Sequence, residues 1–269
     1  MIAREPILVI PHKQPYLEGR LIRRWNRFLA DIALADGTKI VAHCVNTGRM
    51  ECLTQAGLRV WVTKKDDPAR TLGYTWEMVE VDGVMIGANT SLPNTFVRAL
   101  LEKRLLRGFS AWDEMKAERK YGENSRVDFW LREGKKEHFI EVKNCHLVYP
   151  DKRGYFPDSV SERATRHLEE LAEVVRQGHR ATVIFTAQRG DTKAMRPSDA
   201  HDPVFAAAAR KAKAAGVDFK ALRIRPTPEA MIIEQMIPVD LKEYETARMQ
   251  RWMAENRALG PAWFTVKRP

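Results

Sequence analysis

The sequence predicts an α/β protein with an all-β N-terminal domain, in which an OB-type barrel precedes an α/β domain. Two observations predict this class. Short β-rich segments separated by turn residues fill residues 1–83. After Gly83, strand-like segments alternate with segments whose apolar residues recur at helical spacing. The chain has 269 residues, of which 44% are hydrophobic and 30% charged, so it can bury a core and wholesale disorder is excluded.

The first domain is predicted from its strands and turns. Asp36-Gly37 and Asp82-Gly83 are hairpin-turn signals. Several short strands in such a small segment are typical of a small barrel such as an OB-fold. The predicted strands cover residues 7–10, 17–25, 28–34, 39–43, 59–62 and 75–81.

One strand of this barrel carries a candidate binding surface. Residues 20–28 place four arginines around Trp25 and Phe28. Aromatic faces stack on bases while arginines follow the phosphate backbone, so the pattern predicts a nucleic-acid surface. The alternative is that Trp25 and Phe28 belong to the barrel core and the arginines line a solvated edge. The residues predicted to bind are Arg23, Arg24, Trp25 and Arg27.

Residues 84–238 are predicted to form the α/β domain, because helices and strands alternate along them. Ser161 is a suitable N-cap for the second helix, and Gly178 ends it. Residues 239–269 are predicted to be a helical extension, with a helix at 241–257. The predicted helices of the domain are 95–107, 161–177 and 203–215, and its strands are 126–131, 137–147, 181–187, 217–224 and 230–237.

The candidate chemistry lies in Asp128, Glu141 and Lys143. Glu141 and Lys143 are two residues apart on an apolar strand, so they project from one face. Burying them is costly unless they are paired or bound to a ligand. Asp128 lies on the preceding hairpin strand, and two converging carboxylates can hold Mg²⁺ or Mn²⁺ through hard oxygen ligands. A strand-edge salt bridge between Glu141 and Lys143 is the alternative.

The context of this pattern is what makes it informative. Glu-x-Lys occurs four times, starting at Glu114, Glu118, Glu133 and Glu141. The first two lie in a charged, helix-like segment and the third lies in a turn. Only Glu141 lies in an apolar strand with an aspartate on the neighbouring strand.

The arrangement resembles the PD-(D/E)xK nuclease-like superfamily over about residues 90–187. This resemblance implies metal-dependent cleavage of phosphodiester bonds. It also implies a third acidic residue on a helix before the first core strand, for which Glu118 is the candidate. Seven segments follow one another along the chain at 24–31, 42–50, 74–77, 87–90, 120–129, 140–144 and 156–163. Together they are similar to the sugar fermentation stimulation protein A family, which implies an OB-fold followed by a PD-(D/E)xK nuclease-like domain, and DNA binding.

Further binding residues are predicted around these motifs. Arg163 and His167 share a face of the predicted helix 161–177, so Arg163 can clamp a phosphate, and His167 either contacts DNA or is a packed histidine. Arg126 lies beside the acidic motif. Asn46 and Arg49 lie in a turn that the family resemblance implies is a binding loop, although a turn role alone explains an asparagine there.

The net charge of the chain and its distribution also bear on function. The net charge is +10, and its largest share falls in residues 84–238, around the acidic pair. We therefore expect a DNA-binding protein, with RNA left open as a partner, that binds largely independently of sequence and uses Mg²⁺ or Mn²⁺ in a nuclease site. The alternative is a non-catalytic DNA-binding regulator linked to sugar metabolism. Three cysteines make no disulfide framework, and no apolar stretch is long enough to span a membrane, so a cytoplasmic location is expected. The sequence leaves the oligomeric state, including a dimer, open.

Overall fold

The computed structural model describes residues 5–51, 53–65, 67, 71–121 and 125–257. Within them, strands form two large sheets and a small two-stranded one, and helices cover both faces of the larger sheet. The strands are β1 (Leu8–Pro11), β2 (Leu17–Trp25), β3 (Leu29–Leu34), β4 (Lys39–His43), β5 (Arg59–Lys64), β6 (Tyr74–Val81), β7 (Val84–Gly87), β8 (Glu114–Tyr121), β9 (Ser125–Glu133), β10 (Lys136–Cys145), β11 (Arg153–Phe156), β12 (Arg180–Ala187), β13 (Ala194–Pro197), β14 (Asp218–Pro226) and β15 (Ala230–Ile237). The helices are α1 (Leu92–Glu102), α2 (Glu162–Arg176), α3 (Pro203–Ala214) and α4 (Ala247–Arg257).

The N-terminal domain is a closed five-stranded barrel. β2, β3 and β4 pair antiparallel in order, β4 pairs parallel with β6, and β6 returns through β5 to β2. Gly19 lies where β2 packs tightly against β3, because a Cβ there would lie 2.7 Å from the Ala33 carbonyl oxygen. Trp76 and Ile32 fill the interior. β7 extends the sheet beyond β6, so the barrel sheet continues a few residues past Gly83.

The second domain is built on a seven-stranded sheet in the order β1-β15-β14-β12-β10-β9-β8. β10, β12 and β14 are parallel and central, and the outer strands are antiparallel. α2 and α3 pack on one face, and α1 packs on the other face together with barrel residues such as Trp61. Because both faces are covered, β12 is buried along all of its length except its first residue. The predicted fold class is confirmed: an OB-like barrel precedes an α/β domain.

Several elements differ from the sequence prediction. The helix predicted at 95–107 is α1, which begins at Leu92 and ends at Glu102, and the sequence does not predict β11 or β13. β1, which the sequence placed among the barrel strands, pairs antiparallel with β15 of the second sheet. The segment around Glu118 is strand β8 and not a helix, because it pairs antiparallel with β9, so the prediction of a helix there is wrong. The helix of the extension begins at Ala247 and not at residue 241. Residues 258–269 of that extension lie outside the described residues.

The remaining sequence expectations concern thiols and membranes. Cys44 and Cys145 are buried free thiols, and Cys52 lies outside the described residues. Among the helices of the described part, none is long and apolar enough to cross a membrane.

Candidate active site and the arginine-lined cavity

Asp128 lies where strands β9 and β10 stop pairing, since their last register pair joins Phe129 and Ile140. The backbone N–H of Val142 donates to its Oδ2 at 2.6 Å, and the amide of Asn94 on α1 donates to its Oδ1 at 2.8 Å. Two neighbouring elements therefore hold the carboxylate in one orientation.

Asp128 is also in an unfavourable electrostatic position. Burial and, second, the charge of Glu141 raise its pKa to about 6, against the opposing effect of the hydrogen bonds from Val142 and Asn94. The influence of Glu141 places the two carboxylates in one site. A divalent cation between them would relieve both their repulsion and their desolvation.

Glu141 is 4% exposed and lies against two basic side chains. Lys143 Nζ and His167 Nδ1 are each 2.6 Å from its Oε1. Burial alone would raise its pKa, but the hydrogen bond from His167 and the charge of Lys143 outweigh burial, so the pKa of Glu141 lies below its usual range. Its Oε2 is buried and has no hydrogen-bond partner in the described part of the chain.

These residues fit a hard divalent cation. Asp128 and Glu141 supply oxygen ligands from two strands, and the buried Glu141 Oε2 lacks a protein partner. No group of three His, Cys, Asp or Glu side chains suited to a metal is present among the described residues, so water or substrate oxygens would complete the shell. Mg²⁺ typically retains several waters when one or two carboxylates hold it.

An arginine-lined cavity of about 420 Å³ adjoins this site. His167, which contacts Glu141, is among its lining residues, and exposed Arg126, Arg163 and Arg166 surround it. None of the three arginines pairs with a carboxylate in the described residues. Guanidinium groups that have no carboxylate partner of their own, beside a carboxylate pair, suit phosphate oxygens. The complete lining is Glu118, Ser125, Arg126, Arg163, Arg166, His167 and Glu170.

The structure brings most of the predicted residues of the second domain to this place. Glu118 lines the cavity from β8, with a positive φ of 52°. His167 is buried against Glu141, whereas Arg163 is exposed, with its Nε 3.5 Å from His167 Nε2. Sequence reasoning missed Asn94 and Arg166. Arg166 could have been found from its i+3 spacing to Arg163 on α2, whereas no local signal links Asn94 to Asp128.

The aromatic residues of the barrel surface are exposed. Trp25 and Phe28 are 36% and 50% exposed, which excludes the alternative that they form the barrel core. Asp31 accepts hydrogen bonds from Trp25 Nε1 at 2.8 Å and from Arg23 at 2.6 Å. Arg27 is exposed beside them in the turn to β3. An aromatic ring with neighbouring guanidiniums is thus accessible to a ligand.

The other barrel residues shape the loop after β4. Arg24 donates to the carbonyl oxygens of Asn46 at 2.7 Å and Gly48 at 3.0 Å. Asn46 is 4% exposed, and its Oδ1 accepts from the Gly48 N–H at 2.9 Å. Arg49 is exposed and lies 3.7 Å from Glu51. Hydrogen bonds from Arg24 and to Asn46 therefore stabilise the loop in which Arg49 is exposed.

Two family models match the chain. Residues 22–88 match the SfsA N-terminal OB domain, and residues 91–230 match the sugar fermentation stimulation protein RE domain. A sugar fermentation stimulation protein homolog of Geobacter sulfurreducens is 44% identical over 232 residues, which cover 86% of this chain and 98% of that protein. One from Thioalkalivibrio sulfidiphilus is 39% identical over 226 residues, 84% of this chain and 95% of that protein.

A solved structure is similar over most of the chain. It is described as the structure of Pyrococcus furiosus SfsA in complex with Ca²⁺. The TM-score is 0.79 at 26% sequence identity, and the match covers 88% of this chain and all of that one.

Proposed function

The chain belongs to the sugar fermentation stimulation protein family, and from that premise we propose that it is a DNA-binding, metal-dependent nuclease that cleaves phosphodiester bonds at Asp128 and Glu141. The observation that carries the proposal is the burial of two mutually repelling carboxylates on adjoining strands, with Lys143 on one of them. Lys143 and His167 offset the charge of Glu141, but burial and the Glu141 charge still raise the pKa of Asp128, and a bound cation would offset that cost. Perturbed carboxylates of this kind concentrate at functional sites.

Each residue has a role in this proposal. Asp128 and Glu141 hold Mg²⁺ or Mn²⁺, which when bound supplies an activated water and a counter-charge for the phosphate. Lys143 orients the attacking water and stabilises the charge that develops on phosphorus-bound oxygens. His167 and Lys143 keep Glu141 ionised and fixed, and Asn94 orients Asp128.

Two further observations support a cation and a nucleic acid. The similar Pyrococcus furiosus protein is described as a Ca²⁺ complex, and Ca²⁺ and Mg²⁺ both prefer oxygen ligands. The arginine-lined cavity next to Glu141 and the exposed Trp25 surface on the barrel suit phosphates and bases. The positive charge around the acidic pair would attract the polyanion.

The experiment uses purified protein with labelled single- and double-stranded DNA and RNA, in Mg²⁺, in Mn²⁺ and in EDTA. Glu141→Gln and Lys143→Ala should abolish cleavage that needs the metal. A double variant Glu133→Gln/Lys135→Ala is the matched control, because this pair has the same spacing but lies exposed at a hairpin turn. Cleavage that survives Glu141→Gln, or an inactive wild-type protein, would refute the nuclease.

A second candidate function is a non-catalytic DNA-binding protein. It is favoured by the Lys143–Glu141 ion pair and by the lack of a three-residue metal cluster in the described part of the chain. It predicts salt-sensitive binding without cleavage. The same experiment distinguishes the nuclease from the non-catalytic protein, because a non-catalytic protein would bind DNA in EDTA and give no metal-dependent cleavage product.

A further inference from the structure

A separate groove lies between the barrel and the α/β domain. Its volume is about 780 Å³, and its lining comes from the segment between β1 and β2, from β5 and β6 of the barrel, and from the start of α1. It shares no lining residue with the arginine-lined cavity. Concave sites of this size at domain interfaces are typical of small-ligand sites.

Four buried polar side chains line this groove. Thr63, Thr75 and Glu77 are each 3% exposed, and Asn89 is 6% exposed. Glu77 and Asn89 lie in two of the segments similar to the family, and the proposed nuclease site uses neither. Each buried polar group in such a cluster needs a hydrogen-bond partner to offset the cost of its desolvation.

Glu77 is only partly satisfied by the protein. Thr63 Oγ1 donates to its Oε1 at 2.7 Å, and Asn89 Nδ2 donates to its Oε2 at 2.8 Å. No lysine, arginine or histidine of the described residues lies within ion-pair distance of it. Each carboxylate oxygen therefore keeps an acceptor site open. Two strand positions away on β6, Thr75 Oγ1 is buried without any hydrogen-bond partner in the described residues.

We propose that this groove binds a guanine nucleotide unit. The Watson–Crick edge of guanine presents one acceptor, O6, followed by two adjacent N–H donors. Thr75 and Glu77 project from one face of β6 and offer the complementary order, a hydroxyl donor followed by two carboxylate acceptors. Adenine and cytosine each present a single amino donor there and leave part of Glu77 unsatisfied.

The rest of the groove suits the remainder of a nucleotide. His12 and Tyr16 stack at 3.8 Å between centroids and form an aromatic surface for a base. Lys13 and Lys65 line the groove and have no ion-pair partner in the described chain. Lys64 and Asp67 also line it and have interactions of their own.

The start of α1 adds a second feature for a phosphate. The helix begins with no side-chain cap and no acidic residue in its first turn, and Ser91, Leu92 and Thr95 line the groove. The positive end of a helix dipole and uncapped N–H groups favour an anion. The base therefore lies toward Glu77 and the phosphate toward α1, Lys13 and Lys65.

The test is calorimetric binding of GMP, AMP, CMP and UMP to the full chain in EDTA, where no metal-dependent cleavage takes place. GMP should bind at least about ten-fold more tightly than the others, and Glu77→Gln should remove that preference. Glu80→Gln on the same strand is the matched control, because Glu80 pairs with Arg59 outside the groove. A thermal unfolding curve shows whether Glu77→Gln folds.

Lys13 is exposed, so its replacement tests the groove without disturbing the folded core. Lys13→Ala should weaken GMP binding several-fold, whereas Lys39→Ala, which replaces an exposed barrel lysine outside the groove, should not.

A five-nucleotide thymidine strand with guanine or adenine at its centre distinguishes a free nucleotide from a nucleic acid as the source of the guanine unit. Guanine-selective binding of GMP supports a free nucleotide, and selectivity for the strand alone supports nucleic acid. The absence of guanine selectivity in both, or selectivity unchanged by Glu77→Gln and Lys13→Ala, overturns the proposal while leaving the nuclease proposal intact.

Discussion

Asp128→Asn should make the cation-free protein more stable at pH 8 and leave its stability at pH 4 nearly unchanged. The pKa of Asp128 is raised from its ordinary value of 3.8 to about 6. Well below pH 3.8 the carboxyl is protonated in both the folded and the unfolded chain, so its pKa shift has no effect on stability, and at pH 4 the effect has reached only about 0.5 kcal/mol. Above pH 6 it is ionised in both states, and the folded chain bears the full cost of burying the charge. The stability of the wild-type protein should therefore fall as pH rises from about 4 to about 6 because of this residue.

The magnitude follows from the size of the shift. About two pKa units correspond to about 3 kcal/mol at pH 8. Asparagine keeps one acceptor for the N–H groups of Val142 and Asn94, so the variant loses about 1 kcal/mol of hydrogen bonding. The net expectation is a gain of about 2 kcal/mol in the free energy of unfolding at pH 8.

The assay is urea unfolding in EDTA at pH 4, 6 and 8, with Asp113→Asn as the control for an exposed turn carboxylate that accepts from the Gly134 N–H. Repeating it with Mn²⁺ should reverse the order at pH 8, because only the wild-type site keeps both ligands and binding stabilises the folded state. Two results would refute the idea that ionised Asp128 destabilises the folded state. One is a variant that is less stable than wild type at pH 8 in EDTA, and the other is an equal increase in the free energy of unfolding at pH 4 and pH 8.

The remaining predictions concern binding. Mn²⁺ affinity, measured by calorimetry, should fall about ten-fold from pH 7.5 to pH 5 as Asp128 is protonated, and a pH-independent affinity would mean that Asp128 is not a ligand. Arg163→Ala and Arg166→Ala should each weaken DNA binding and lower the slope of log affinity against log salt by about 1. Arg176→Ala, on the same helix but paired with Glu173, should leave that slope unchanged, and equal slopes in all three variants would place the phosphates elsewhere. Trp25→Ala should weaken the binding of single-stranded DNA, measured by fluorescence anisotropy, by about 1–3 kcal/mol. An unchanged affinity would mean that this face of the barrel does not bind DNA.

Much of the fold follows from local patterns. The barrel strands β2 to β6 are delimited by turn residues such as Asp36-Gly37, a local hairpin signal that connects β3 to β4. The i and i+2 spacing of Glu141 and Lys143 is enough to place them on one face of an apolar strand. The predicted cap at Ser161 marks the start of α2 and accepts a backbone hydrogen bond, as Asp202 does at the start of α3.

Other features needed partners that are distant in the chain. The apolar residues of β1 read as one more barrel strand, and only their pairing with β15 assigns them to the second sheet. The charged segment around Glu118 has no strong strand pattern, and antiparallel pairing with β9 makes it a strand. Local periodicity does not encode which edge a strand joins, because that depends on which exposed edge is left after the rest of the sheet has formed.

The sequence by itself determined the two domains and the identity of the acidic pair with its lysine. Only the tertiary structure decided the state of that pair: Asn94 and the backbone of Val142 hold Asp128, and His167 holds Glu141. It also brought Thr75 and Glu77 of the barrel together with the start of α1 in one groove. Residue types and their spacing are local properties of the chain, whereas burial, pKa and hydrogen-bond partners arise from neighbours that packing alone brings together.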